Sequence, residues 1–288
     1  MRKTIVLSAG LLALTAAPAA AQVGEAPAVQ PVRAAKVILV GDSTTAVVSG
    51  WGPSFCAYHV TSALACVNLA RGGRSTGNYR AEGSWDLALA EMRTPGFTNI
   101  WVLIQFGHND QPGKPGRSTD LATEFPANLR RYVAEARAAG AVPVLVTPLA
   151  RRQFAGGQLR NDLLPWAEAV RRVAAETGVP LVDLNARSVA ALQALGPAAS
   201  MQFAQAAPSP EVAAAALGGT TIAASPAPAP AATAPAAAAQ NAAAEPMGQA
   251  RLAFDYTHLG RAGADFFATI VTQELAVRVP QMRRLLVP

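Results

Sequence analysis

"KVILVGDSTTAVVSGWG", residues 36–52, poses the question that decides the fold. Val37 to Val40 form a continuous apolar run that stops at Gly41, and Asp42, Ser43, Thr44 and Thr45 follow at once. Apolarity without alternation marks a strand buried on both faces, as in a parallel sheet. A hydroxyl-rich turn at the end of such a strand can do one of two jobs. It can cradle a phosphate, or it can carry a nucleophile.

The same kind of run recurs along the chain. Val37–Val40, Cys66–Leu69, Ile100–Phe106, Val142–Val146 and Leu181–Leu184 read as short strands rich in Val, Ile and Leu. Between them the apolar spacing turns helical. Phe125, Leu129, Tyr132, Val133 and Ala136 share one stripe that ends at Gly140, and Leu163 to Thr177 repeats the pattern up to Gly178. Five strand-then-helix units predict an α/β fold: a three-layer α/β/α doubly wound sheet of about five parallel strands. In such sheets the sites form at the carboxyl ends of the strands. The residues that follow each strand are therefore the ones to read for chemistry.

Two regions fall outside this plan. Arg2 and Lys3 precede an apolar run from Ile5 to Leu14, and Ala19-Ala20-Ala21 offers a small-residue cleavage site before Gln22. Residues 1–21 are thus expected to be a secretory signal peptide and 22–35 a flexible lead-in, which places the mature protein outside the cell or in the periplasm. From 204 to 250 the chain is dominated by Ala and Pro, and the alternating Pro226, Pro228 and Pro230 preclude helix there. A flexible insertion is expected there, with "PEVAAAAL" at 210–217 a candidate short helix, inside a single domain spanning 36–288.

Charge and cysteine usage exclude several function classes. The formal charge is +6, and two of those charges, Arg2 and Lys3, belong to the leader. The positive residues are nearly all arginines, occurring as pairs such as Arg151-Arg152 rather than blocks. Without aromatic interleaving such pairs read as solvated faces, so no nucleic-acid partner is expected. No segment beyond the leader is apolar and long enough to span a membrane, and a monomer is expected. Cys56 and Cys66 are the two cysteines. In an exported chain they are a candidate disulfide, and without flanking His ligands they make no zinc site.

Four blocks follow the strands: "GDST" at 41–44, "GGRS" at 72–75, "GHND" at 107–110 and, far downstream, "DYTHLG" at 255–260. Together they hold a serine, a histidine with an acid three residues before it, and small or amide-bearing residues able to donate to an oxyanion. Acyl transfer needs that set. In type and order the blocks resemble the SGNH (GDSL-type) hydrolase superfamily, whose sheet is flavodoxin-like, and most closely its rhamnogalacturonan acetylesterase branch. The resemblance spans residues 36 to about 275.

The resemblance implies Ser43 as nucleophile, His258 as base and Asp255 as its orienting acid, with Ser43, Gly73 and Asn109 forming the oxyanion hole. Physical arguments agree with these roles. Ser43 is expected where strand passes into helix, so that the helix N-terminus faces the developing charge. Gly73 has no side chain to screen its N–H, although Gly72 competes for that role, and Asn109 carries an amide donor. Asp255 and His258 are close enough for one loop to join carboxylate to imidazole.

Around this set, Arg74, Arg80 and His108 are candidates for contacting substrate, and His108 reads as a structural histidine bracing the Asn109 loop rather than as a second base. The implied activity is removal of acetyl groups from an acetylated polysaccharide, pectic in type, with no cofactor and no metal. A general short-chain esterase, lipase or lysophospholipase of the same superfamily is the alternative within the enzyme class. A non-catalytic glycan-binding protein is the alternative outside it. A phosphate cradle is disfavoured, because Asp42 would repel a phosphate and no glycine-rich phosphate loop is present.

Overall fold

The computed structural model describes residues 33–224 and 252–288. In chain order the strands are β1 (Ala35–Gly41), β2 (Leu64–Asn68), β3 (Ile100–Gln105), β4 (Val142–Val146), the short β5 (Phe154–Ala155) and β6 (Gln158–Leu159), and β7 (Leu181–Val182). The helices are α1 (Gly52–Tyr58), α2 (Asn78–Ala81), α3 (Ser84–Met92), α4 (Glu124–Ala138), α5 (Leu164–Thr177), α6 (Leu184–Ser200, broken at Gly196), α7 (Pro210–Leu217) and α8 (Arg261–Arg278).

The five long-range strands form one parallel sheet in the order β2-β1-β3-β4-β7. Alternate residues of β1 show why three layers result. Ala35, Val37 and Leu39 pack with Trp51 and Phe55 of the α1 region, Leu192 of α6, and Phe267 and Val271 of α8. Ile38 and Val40 face the other way, toward Trp85 of α3, Phe125 and Leu129 of α4, and Val170 of α5. Both faces of the strand are dry, as its unbroken apolar run requires, and each such Val, Leu or Ile contributes roughly 1.5–3 kcal/mol by burial. The chain runs from β1 outward to β2, then passes back over β1 to begin β3 on its other side. That reversal opens a crevice at the carboxyl ends of β1 and β3, where a doubly wound sheet binds its ligands.

Three local features differ from the expectations or extend them. Gly156-Gly157 turns the chain between β5 and β6 into a small antiparallel hairpin, which the apolar pattern did not announce. The Cys56 and Cys66 sulfurs are joined, tying α1 to the edge strand β2. The Ala/Pro-rich segment is packed up to residue 224. The Ser209 hydroxyl caps α7 by accepting from the Val212 N–H, and Val212 and Ala216, one helical turn apart, bury against Met201 and Tyr256. Thr221 N–H donates to the Phe154 carbonyl, and the Tyr256 hydroxyl to that of Ile222. A chain rich in alanine can therefore still dock where two of its side chains meet a larger apolar partner. The rest of the expected insertion, 225–250, lies outside the described residues, as do the expected leader and residues 22–32. Among the described residues, no helix is long and apolar enough to cross a membrane.

Candidate active site

The turn after β1 is not the start of a helix. Thr45 N–H and Ala46 N–H both donate to the Asp42 carbonyl, closing one tight turn, and α1 begins only at Gly52. Ser43 therefore gains nothing from a helix N-terminus, which corrects the expectation drawn from its position. Buried side chains hold the turn instead. Asp42 Oδ1 accepts from Thr44 N–H (2.9 Å) and Thr44 Oγ1 (2.8 Å). Gln105, at the end of β3, donates from Nε2 to Thr44 Oγ1 (2.9 Å) and accepts at Oε1 from Thr45 Oγ1 (2.9 Å) and Trp51 Nε1 (2.7 Å). The chain folds back on this turn so closely that a Cβ on Gly50 would stand 2.4 Å from the Thr44 and Thr45 backbone. Only glycine allows that approach.

The distant blocks converge on Ser43. His258 Nε2 lies 2.9 Å from Ser43 Oγ, and His258 Nδ1 lies 2.6 Å from Asp255 Oδ2. Asp255 Oδ1 accepts from the N–H groups of Thr257 and His258, both at 2.7 Å. Partial burial acts to raise the Asp255 carboxyl, but its hydrogen bonds and attraction to His258 outweigh that and bring it down to about 2. It is thus ionised at neutral pH and accepts the hydrogen bond from Nδ1–H, which keeps that proton on the imidazole and leaves Nε2 to accept from the serine. Ser49 links the two halves. Its hydroxyl donates to the Ser43 carbonyl (2.7 Å) and its carbonyl accepts from Leu259 N–H (2.9 Å).

The glycine block and the β3 loop supply donors. Gly73 takes a left-handed conformation (φ 76°), which a side chain would strain. Gly72 runs against Ser43, a Cβ there meeting Ser43 Cβ at an ordinary 3.8 Å. The N–H groups of Ser43 and Gly73 find no acceptor among the described residues. Asn109 Nδ2 spends one hydrogen on the Arg74 carbonyl (3.0 Å), which fixes its amide and leaves the other hydrogen to point elsewhere. Two free backbone donors and one anchored amide beside a serine can stabilise an oxyanion.

Three residues expected to contact substrate face inward. Arg74 is 3% exposed, with Nε on the Glu82 carboxylate (3.0 Å) and Nη1 on the Gly72 carbonyl (2.6 Å), so it holds the glycine block together. Arg80 forms a two-pronged pair with Glu135 (2.9 Å for each prong) over the Tyr132 ring. His108 is buried beneath the site with Nδ1 3.4 Å from Asp42 Oδ2. Burial pushes its imidazole below the ordinary range, against the pull of Asp42. It is screened from solvent, and neither ring nitrogen has a hydrogen-bond partner among the described residues.

Two residues of the site escaped the sequence reading. Gln105 was hidden inside an apolar strand, though an amide in "IWVLIQF" is itself a sign of a buried partner. Arg152 looked like half of a solvated pair but is 1% exposed, with its guanidinium turned onto the 255–258 loop. Burial lowers it to about 10, with Asp255 opposing, so it remains a cation.

Comparison with known proteins places this geometry. A model of the GDSL-like lipase/acylhydrolase family matches residues 39–203, which include Ser43, Gly73 and Asn109. The chain is 38% identical over 176 residues to rhamnogalacturonan acetylesterase RhgT of Bacillus subtilis (strain 168), covering 58% of this chain and 72% of that protein. It is 35% identical over 161 residues to a second protein of that organism, named probable rhamnogalacturonan acetylesterase YesY, covering 54% of this chain and 72% of the relative. The crystal structure of Bacillus subtilis YxiM shares the fold, with a TM-score of 0.59 at 21% identity over 87% of this chain and 58% of that one. The serine turn at the switch point of the sheet and the family match that runs through it have one meaning: the chain belongs to the GDSL-like lipase/acylhydrolase family and is a carboxylic ester hydrolase.

Proposed function

We propose that this protein is an exported, monomeric acetylesterase that removes acetyl groups from a pectic polysaccharide of the rhamnogalacturonan type. The continuous hydrogen-bonded line from Ser43 Oγ through His258 to Asp255 carries the reading. The named activity of the two curated relatives supports the substrate class, and the leader-like residues 1–21 support export.

In this reading Ser43 Oγ attacks the acetyl carbonyl carbon as His258 Nε2 takes its proton. The carbonyl oxygen becomes an oxyanion facing Ser43 N–H, Gly73 N–H and the Asn109 amide. The bond to the sugar oxygen then breaks, and His258 returns its proton to that oxygen, freeing the sugar hydroxyl and leaving an acetyl group on Ser43. A water activated by His258 attacks this ester, and acetate departs as Ser43 regains its proton. Asp255 holds the imidazole through both halves and stabilises its cationic form.

Acetate release from acetylated rhamnogalacturonan, acetylated xylan and 4-nitrophenyl esters of rising chain length tests the substrate. The expected order puts the pectic polymer and the acetyl ester first, and preference for acyl chains of eight carbons or more rejects it. Ser43→Ala is expected to lower kcat by about 10⁶. Turnover near that of the wild type would reject Ser43 as the nucleophile.

A further inference from the structure

Four consecutive carbonyls, those of Asp255, Tyr256, Thr257 and His258, end on one residue. Arg152 Nη2 donates to the Asp255 carbonyl (2.7 Å) and the His258 carbonyl (2.8 Å), and Nη1 to that of Thr257 (3.4 Å). The backbone N–H of Arg152 takes the remaining one, on Tyr256 (2.9 Å). On the opposite side, the N–H groups of Thr257 and His258 converge on the Asp255 carboxylate. A buried cation behind the loop and a carboxylate in front of it hold the peptide groups between them in one orientation.

We propose that Arg152 is a positioning residue for the hydrolysis, acting on His258 through the backbone that carries it. The proposal rests on reading Ser43, His258 and Asp255 as the catalytic set. Tyr256 and Leu259 anchor the loop in the core, but Asp255 and His258 keep about a third of their side-chain surface in solvent, so packing does not by itself fix the direction of the imidazole. His258 must nevertheless keep Nε2 on Ser43 while Nδ1 stays on Asp255. Fixing the carbonyls of residues 255, 257 and 258 removes the peptide rotations that would swing the imidazole away. Buried at 1% exposure, the guanidinium makes these bonds without competition from water. A lysine ammonium has three donors around a single nitrogen and cannot span the same three carbonyls with the geometry of the planar fork. Arg152 touches neither substrate nor the reacting atoms, so its effect should fall on turnover and spare binding.

The experiment uses the purified full chain as wild type, Arg152→Lys, Arg152→Gln and Ser43→Ala, with 4-nitrophenyl acetate as substrate. Active sites are counted by the burst of 4-nitrophenol, and the proton shared by His258 and Asp255 is followed as a downfield NMR resonance. The expected result is a kcat per active site lowered about 100-fold in Arg152→Gln and about 10-fold in Arg152→Lys, with KM within about twofold. The downfield resonance should be lost in the first and retained, broadened, in the second. A purely structural role would lower only the number of active sites. Turnover per site within about twofold of wild type in Arg152→Gln overturns the proposal, and if that variant does not fold, the same result in Arg152→Lys overturns it. Persistent turnover in Ser43→Ala would instead reject the catalytic set itself and the proposal with it. An inactive Ser43→Ala beside fully active Arg152 variants rejects the role of Arg152 alone.

Discussion

Ser43 rests on a floor of buried polar side chains, whereas Asp255 and His258 stand on a loop with 38% and 34% of their side-chain surface exposed. The floor consists of Thr44, Thr45, Gln105 and Trp51, all but dry and joined by hydrogen bonds at the ends of two central strands. The sheet register that sets Gly41 opposite Gln105 places them before any loop is considered. The loop has no such floor. Its shape comes from two charges, Asp255 in front and Arg152 behind, and from backbone links through Ser49 and Arg152. Damage to the floor should therefore register mainly as lost stability, and damage to the loop mainly as lost turnover.

The largest effect expected from breaking this contrast lies on the loop side. Asp255→Asn should leave the fold intact and lower kcat by about 10⁴, because an amide can present a donor where Nδ1 must donate. Steady-state kinetics and a thermal melt of the same preparation check it, and a loss below tenfold would mean that something else orients the imidazole. On the floor side, Gln105→Leu strands the Trp51 N–H and the Thr45 hydroxyl and removes the donor to Thr44. At roughly 1–3 kcal/mol for each stranded group, the expected destabilisation is about 3 kcal/mol, seen as a lower urea midpoint. Its turnover should fall only about 10-fold, and a fall larger than that of Asp255→Asn would invert the contrast.

The smallest effect is a pH signature of opposite sign at two carboxyls, Asp110 outside the floor and Asp255 on the loop. Asp110, behind Asn109, is held by Thr76 and Thr119 at Oδ1 while its Oδ2 is buried without a partner. Burial raises it to about 6, against those hydrogen bonds. The native state then holds a proton that the unfolded chain has released, so Asp110 costs stability as pH rises from about 4 to 6. Asp255, lowered to about 2 despite its partial burial, contributes stability above about pH 4 that is lost as pH falls toward 2. Melting temperatures between pH 4 and 7 should therefore decline less with rising pH in Asp110→Asn than in the wild type. An unchanged slope would show that Asp110 is ionised throughout.

Much of the molecule was legible in the sequence, because continuous apolar runs report burial on two faces and helical stripes report burial on one. All five sheet strands lie where those runs predict, and α4 and α5 end beside Gly140 and Gly178 as expected. The blocks after the strands could be read because the fold class says where a site must form. What escaped depends on side-chain direction, which periodicity does not record. Arg74 and Arg80 turned inward because Glu82 and Glu135 wait for them, and no spacing announces those pairings. Arg152 was misread for the same reason. The helix expected at Ser43 failed because Asp42 and Thr44 close a local turn first, delaying α1 to Gly52. The packing of α7 was obscured by alanine, whose small side chain says little about what it touches.

The docking of α8 carries a consequence for the order in which the protein acquires its reactivity. Phe267, Val271 and Leu275 pack on Trp51 and Phe55, and Asp265 accepts from the Ser54 hydroxyl at 2.6 Å. The helix that follows His258 is thus seated on the segment that follows Ser43. A nascent chain can complete β1, β2 and β3 and still have a serine without a base. The imidazole arrives only when α8 closes against α1, so during synthesis the chain passes through its unfinished states without a complete catalytic set.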